Sequence, residues 1–200
     1  GLDVKILSPP HVVLILGLTT IELAALIQVL AEMNRSSGRR RRVLEWMFLY
    51  GGAIMFIGTQ TAIMEYSFRS NMHRSQFYRV IGSVAVLLLA GLARASTRRW
   101  AATTVTAIFS LFLILLLLVL PLFPAEPKLG PVYQQVKFFI PPEFPVLLVF
   151  PAMVLDLLVR RFAGLNKWAL AAVAGSAFLV VFVCVQWPFS EFLMTPAARN

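Results

Sequence analysis

Ile108–Phe123, IFSLFLILLLLVLPLF, contains no charged side chain and only one hydroxyl, Ser110. Sixteen such residues cannot form one face of a water-soluble helix, because every face would be apolar. With the Thr-rich turn before it, the run reaches the roughly 20 residues that a helix needs to cross a hydrocarbon core of about 30 Å. The whole chain has the same character. It has 200 residues, of which 59% are hydrophobic and 14% charged, and its mean hydropathy is +0.80. Soluble domains carry about 25% charged residues and a smaller apolar share. A soluble globule is therefore excluded, and an all-α integral membrane protein is expected.

Five further segments qualify or nearly qualify as spans. In chain order the six are Val12–Met33, Val43–Glu65, Tyr78–Ala95, Trp100–Phe123, Phe144–Phe162 and Trp168–Phe189. They predict a single polytopic domain, a bundle of about six transmembrane helices. The third is short between Arg79 and Arg94, whose side chains can snorkel outward. Pro151 lies inside the fifth and predicts a kink, since it removes one backbone donor.

The net charge of +9 raises the question of nucleic acid, but the basic residues sit in short clusters between apolar runs. Eleven of the eighteen Lys and Arg fall in segments 34–42, 94–99 and 160–167. That is the pattern of topology signals in a multi-pass protein, and it predicts these loops in the cytoplasm and both termini outside. Trp46, Trp100 and Trp168 would mark the cytoplasmic interface, and Tyr66, Tyr78 and Trp187 the outer one. A bacterial inner membrane fits this arrangement. No basic stripe with interleaved aromatics occurs on a soluble segment, so no nucleic-acid partner is expected.

The segment from Pro124 to Glu143 is rich in Pro and aromatics and too polar to span. Its VKFF is expected to lie on the membrane or against a partner. No internal repeat is evident, which gives no support to an inverted-repeat transporter. Cys184, the only cysteine, lies in an apolar run and is expected to serve packing. The chain opens at Gly1 and ends TPAARN, which leaves open a processed start or a piece of a longer chain.

Ionisable groups at bilayer depth are costly and are therefore functional candidates. Glu22 lies mid-span in GLTTIELAALIQVL. Three roles stay open for it: an interhelical hydrogen bond by a protonated carboxyl, a proton or metal site, or contact with water in a cavity. Asp156 and Glu45 each have an Arg four residues away, Arg160 and Arg41, so ion pairs are the plain expectation. Glu65 is followed by YSFRSNMHR, which brings a carboxylate, Met72 and His73 within one short stretch. A soft metal site of Met and His is chemically open there. His11 follows Pro9 and Pro10 at the mouth of the first span, where Asp3 can approach it. With His11 and His73 alone, the chain cannot build a three-histidine site, and no HExxH or phosphate-binding glycine loop occurs. Nor is there a nucleophile–base pair suited to acyl transfer.

Two parts of the sequence resemble a known family. Pro141 to Met194, with its Pro-entered helix from Pro151 to Leu155-Asp156 and its Trp187-Pro188 turn, resembles the A subunit of copper-dependent membrane monooxygenases. Those enzymes oxidise methane, ammonia or short hydrocarbons. RRWAATTVTAIFSLF is compatible with the preceding helix of that subunit. Ser8-Pro9-Pro10-His11 resembles instead the element of the C subunit that opens a helix with a copper-ligating His. The resemblance thus implies copper as a cofactor and His11 as a ligand, with Asp3 or a partner subunit completing the site. Glu22, Glu65 and Asp156 would orient helices or relay protons. The family's further Asp and His ligands fall upstream of the residues preceding His11. In MEYSF, Met64 and Phe68 stand where the family has ligand-type Asn and His, so a second copper position is not expected.

The expected function is accordingly a membrane subunit of a copper monooxygenase-like hetero-oligomer that oxidises a small apolar substrate or supports the subunit that does. A non-catalytic scaffold subunit and a proton-coupled carrier using Glu22 and Asp156 are the alternatives. Gly51, Gly52 and Gly58 offer surfaces for close packing with neighbouring subunits.

Overall fold

The computed structural model describes residues 8–67, 71–124 and 144–193, with side chains described up to Ser190. Asp3, the loop from Pro124 onward with its VKFF, and Glu143 therefore lie outside the described residues or at their edge, as does the TPAARN ending. The described chain is all-helical: α1 Pro9–Arg35, α2 Gly38–Ala62, α3 Ser75–Ala95, α4 Ala101–Val119, α5 Val149–Arg161 and α6 Lys167–Leu193. Short 3-10 turns lie at Met64–Tyr66, Leu120–Leu122 and Val146–Leu148.

Four helices, α1, α3, α4 with its following turn, and α6, are long and apolar enough to cross a membrane. That makes this a membrane protein. The other two fall short for different reasons. α2 is long enough but opens on four consecutive arginines, Arg39 to Arg42, and carries Glu45, Gln60 and several Gly and Thr residues in the rest of its length. α5 has only 13 residues, about 20 Å of helix. The break expected from Pro151 falls one turn before it, at the residue whose carbonyl its ring would meet. Leu147 departs from helical geometry at φ −92°, ψ 16°, α5 begins at Val149, and Pro151 falls in its first turn. There a missing N–H removes no intrahelical bond. The converse holds in α6, which runs through the Trp187-Pro188 pair to Leu193 with Pro188 inside the helix.

Helices consecutive in the chain run antiparallel. Glu22 of α1 lies against Gly58, and Leu26 against Gly51, while Glu32 reaches Arg40. Likewise Gly52 of α2 meets Leu92 of α3, and Gly82 of α3 meets Leu179 of α6. Ser110 in the middle of α4 donates to the carbonyl of Val146, just before α5, at 2.6 Å, while Ala102 at the start of α4 meets Asp156 further along α5. The three Arg-rich segments thus share one end of the bundle, the basic end. The α1–α2 connection is two residues long and closes on Gly38 at φ 57°, a left-handed conformation that a side chain would strain.

The core follows α4, whose buried Ala101, Ala102, Val105, Phe109 and Leu113 form one stripe at helical spacing. Phe109 meets Phe56 of α2 edge-on at 5.0 Å between centroids and Phe144 at 6.4 Å. Because lipid is as apolar as these side chains, close packing rather than water exclusion holds such helices together. Small residues permit it: a Cβ added at Gly82 would come 2.3 Å from Leu179 Cδ2, and one at Gly52 3.0 Å from Leu92. Gly51, Gly52 and Gly58 therefore face α1 and α3 of the same chain, where the sequence suggested outside neighbours.

α1 stands apart from this core. It packs mainly on α2, and only 6% of its apolar window is buried, against 39% for α3. Val13, Leu14, Leu16, Leu18 and Ile21 are all more than half exposed.

Candidate functional site

Polar side chains gather in three places, and their partners separate structural roles from open ones. At the basic end, α4 starts without a side-chain cap of its own. Asp156 of α5 supplies one from across the bundle: it accepts the Thr103 N–H at 2.8 Å, the Thr103 hydroxyl at 2.7 Å and the Ala102 N–H at 3.3 Å. A carboxylate there satisfies orphan N–H groups and complements the positive end of the helix. The expected partner Arg160 acts on this carboxylate by its charge and not through a contact ion pair among the described residues; its guanidinium lies 5.9 Å from the Trp100 ring centre.

Glu45, only 7% exposed, ties α2 to the α3–α4 connection. It accepts hydrogen bonds from the Thr97 hydroxyl and from Arg98 Nε at 3.2 Å, and pairs with Arg41 at 3.6 Å. Arg98 also lies over the Trp46 ring at 4.7 Å. The local Glu45–Arg41 pair was legible from spacing, whereas Thr97 and Arg98 come from more than fifty residues away and were not.

The second place is the groove between α1 and α2, of about 310 Å³, lined by His11, Ile15, Thr19, Glu22, Gly58 and Thr61 among others. His11, Ile15, Thr19 and Glu22 recur at helical spacing on the face of α1 turned to α2. Glu22 is half-buried, and its two carboxylate oxygens lie 3.4 Å from where a Cβ at Gly58 would be. A methyl group there would just touch the carboxylate, so the two helices pack closely at this point. His11 is at the groove's mouth, and its Nδ1 shares a 2.9 Å hydrogen bond with Ser8 Oγ. Eleven residues at 1.5 Å each separate His11 from Glu22 by about 16 Å along the helix, so the two cannot hold one metal ion.

The third is at the end opposite the arginines, where the segment after α2 folds against α6. Met72 is fully buried and accepts a long contact, 3.9 Å, from the Gln186 amide. His73 Nε2 shares a 2.8 Å hydrogen bond with Ser190, and its ring packs 4.5 Å from that of Trp187. Tyr78 is buried here, stacked on Trp187 and edge-on to Phe182, so it is a packing residue rather than part of an interfacial belt. Glu65 lies in the turn after α2, and its carbonyl accepts from the Asn71 amide. Gln60 is fully buried with neither amide atom hydrogen-bonded, and the Gln186 carbonyl oxygen is likewise unpaired. Sequence reading singled out neither glutamine for this end, because an amide carries no charge to mark it. Cys184 is exposed on α6 instead of buried in packing.

For copper the donor inventory is thin. Among the described residues no three His, Cys, Asp or Glu side chains converge. The described residues alone therefore do not fit a copper centre, and no oxygen chemistry is assigned to them. No family model, no curated protein and no solved structure matches the chain.

Proposed function

We propose that this chain is a multi-pass subunit of a hetero-oligomeric complex in a bacterial inner membrane, of the copper membrane monooxygenase-like type, and that it supports the subunit oxidising a small apolar substrate. The observation that carries this reading is α1: a long apolar helix fixed mainly along one face, with almost all of its remaining surface uncovered. A partner subunit's helices would complete its packing. In this arrangement the basic end faces the cytoplasm, both ends of the chain lie outside, and α2 and α5 cross the membrane with the support of their neighbours. Within a copper site, His11 would be one donor, with the others coming from Asp3 or from a partner.

A second reading, a proton-coupled carrier, is favoured by Glu22, a carboxylate within an otherwise largely apolar groove, for which no hydrogen bond or ion pair occurs among the described residues.

The test is purification of the tagged chain from its native membrane in mild detergent, with partner identification and metal analysis, beside His11→Ala and Glu22→Gln. Co-purifying subunits and copper that falls in His11→Ala with assembly intact are the expected result. Partners without copper in any sample would remove the copper claim and leave a scaffold. A folded chain that migrates alone would overturn the subunit reading. Proton-driven transport in vesicles that is lost in Glu22→Gln would establish the carrier.

A further inference from the structure

A second groove, of about 420 Å³, lies between α3, α5 and α6, with almost entirely apolar walls. Its floor and sides come from Val86, Ala90, Leu155, Leu170, Ala174 and Gly175, and Arg94 and Lys167 stand at its basic-end rim. On α3 it runs from Val86 to Arg94 and on α6 from Gly175 to Lys167, eight residues in each case, or about 12 Å of helix. That approaches half of a hydrocarbon core of about 30 Å, the depth of one leaflet. The groove opens sideways past Ala171 and beside Gly175, where an added Cβ would meet nothing within 4 Å. Neither Arg94 nor Lys167 has a hydrogen bond or ion pair among the described residues. The nearby carboxylate of Asp156 is held by α4 on the other side of α5, and Arg160 and Arg161 at the end of α5 add only positive charge.

We propose that this groove seats one anionic phospholipid from the leaflet at the basic end, an acyl chain lying along α3 and α6 and the phosphate held between Arg94 and Lys167. Apolar depth alone would accept any lipid. The two unpaired cations at headgroup level select a negative one, and basic pockets between transmembrane helices at the cytoplasmic face bind such headgroups. The inference rests on the proposed orientation of the basic end toward the cytoplasm and is independent of the copper and carrier readings.

The protein in nanodiscs of phosphatidylglycerol and phosphatidylcholine in equal parts, released into native mass spectrometry, should retain one phosphatidylglycerol in preference to phosphatidylcholine. Arg94→Gln and Lys167→Gln should each lower that preference about fivefold, and Gly175→Leu should abolish retention by filling the groove. Arg99→Gln, an exposed cation at the same end outside the groove, should leave it unchanged. Equal losses in Arg99→Gln would reduce the effect to diffuse surface charge and overturn the proposal. So would retention that survives Gly175→Leu, or displacement of the lipid by soluble glycerol phosphate, which would mark a headgroup site without a chain seat. Should Gly175→Leu fail to fold by circular dichroism, Ala171→Leu at the open edge makes the same test.

Discussion

Asp156 on α5 caps helix α4 through Thr103, accepting its backbone N–H at 2.8 Å and its hydroxyl at 2.7 Å. The same carboxylate that could be named a proton carrier from its depth in an apolar segment is thus a structural fastener between two helices. Removing it leaves the N–H groups at the start of α4 without an acceptor in a region closed to water. Asp156→Ala is expected to cost roughly 2–3 kcal/mol, read as a lower unfolding temperature in detergent. Thr103→Val, which keeps the backbone bond, should cost about 1 kcal/mol. If Asp156→Ala unfolded like the parent chain, the cap would be dispensable.

The Glu45 cluster should behave as a network centred on Arg98. Arg98 is nearer the carboxylate than Arg41, 3.2 Å against 3.6 Å, and it also lies over Trp46. A double-mutant cycle on thermal stability should therefore give a larger coupling for Glu45–Arg98 than for Glu45–Arg41. Both guanidinium groups are about one-third exposed, so the Arg41 coupling should be a few tenths of a kcal/mol. The reverse order would place the carboxylate's main partner on its own helix.

At Gly82 a Cβ would lie 2.3 Å from Leu179 Cδ2 and 3.4 Å from Phe182, so any side chain there must displace Leu179 from the α3–α6 contact. Gly82→Val is expected to destabilise by about 1–3 kcal/mol, as overpacking does. Gly91→Val on the same helix, where a Cβ would meet nothing within 4 Å, should be close to neutral. Equal unfolding temperatures for the two variants would contradict the packing assigned to Gly82.

Gln60 and Gln186 carry buried amide atoms without hydrogen-bond partners. Replacing a buried group that makes no bond, as for Gln60, or only a long contact to sulfur, as for Gln186, by an apolar one of similar size is nearly neutral or stabilising. Gln60→Met and Gln186→Met are thus expected to hold or raise the unfolding temperature. A fall in either would show that its amide is satisfied in the assembled protein, and partner retention during purification would then reveal whether a neighbouring subunit provides the bond.

The sequence by itself determined that this is a helical membrane protein, that its basic residues gather at one end, and where the long apolar runs lie. Those conclusions need only composition and periodicity, because a charge-free run such as Ile108–Phe123 has no stable alternative in water. The Glu45–Arg41 pair was legible for the same local reason, four residues along one helix. Only the tertiary structure decided that Asp156 serves α4, that the break before Pro151 leaves α5 a short helix, and that Gly51, Gly52 and Gly58 face helices of their own chain. It also made α1 an outlying helix and brought Met72 and His73 against α6. Each of these depends on which residues meet across the bundle. Apolar helices look alike from every side in sequence, and their pairing is set by the fit of small and large side chains and by a few distant hydrogen bonds that no local pattern encodes.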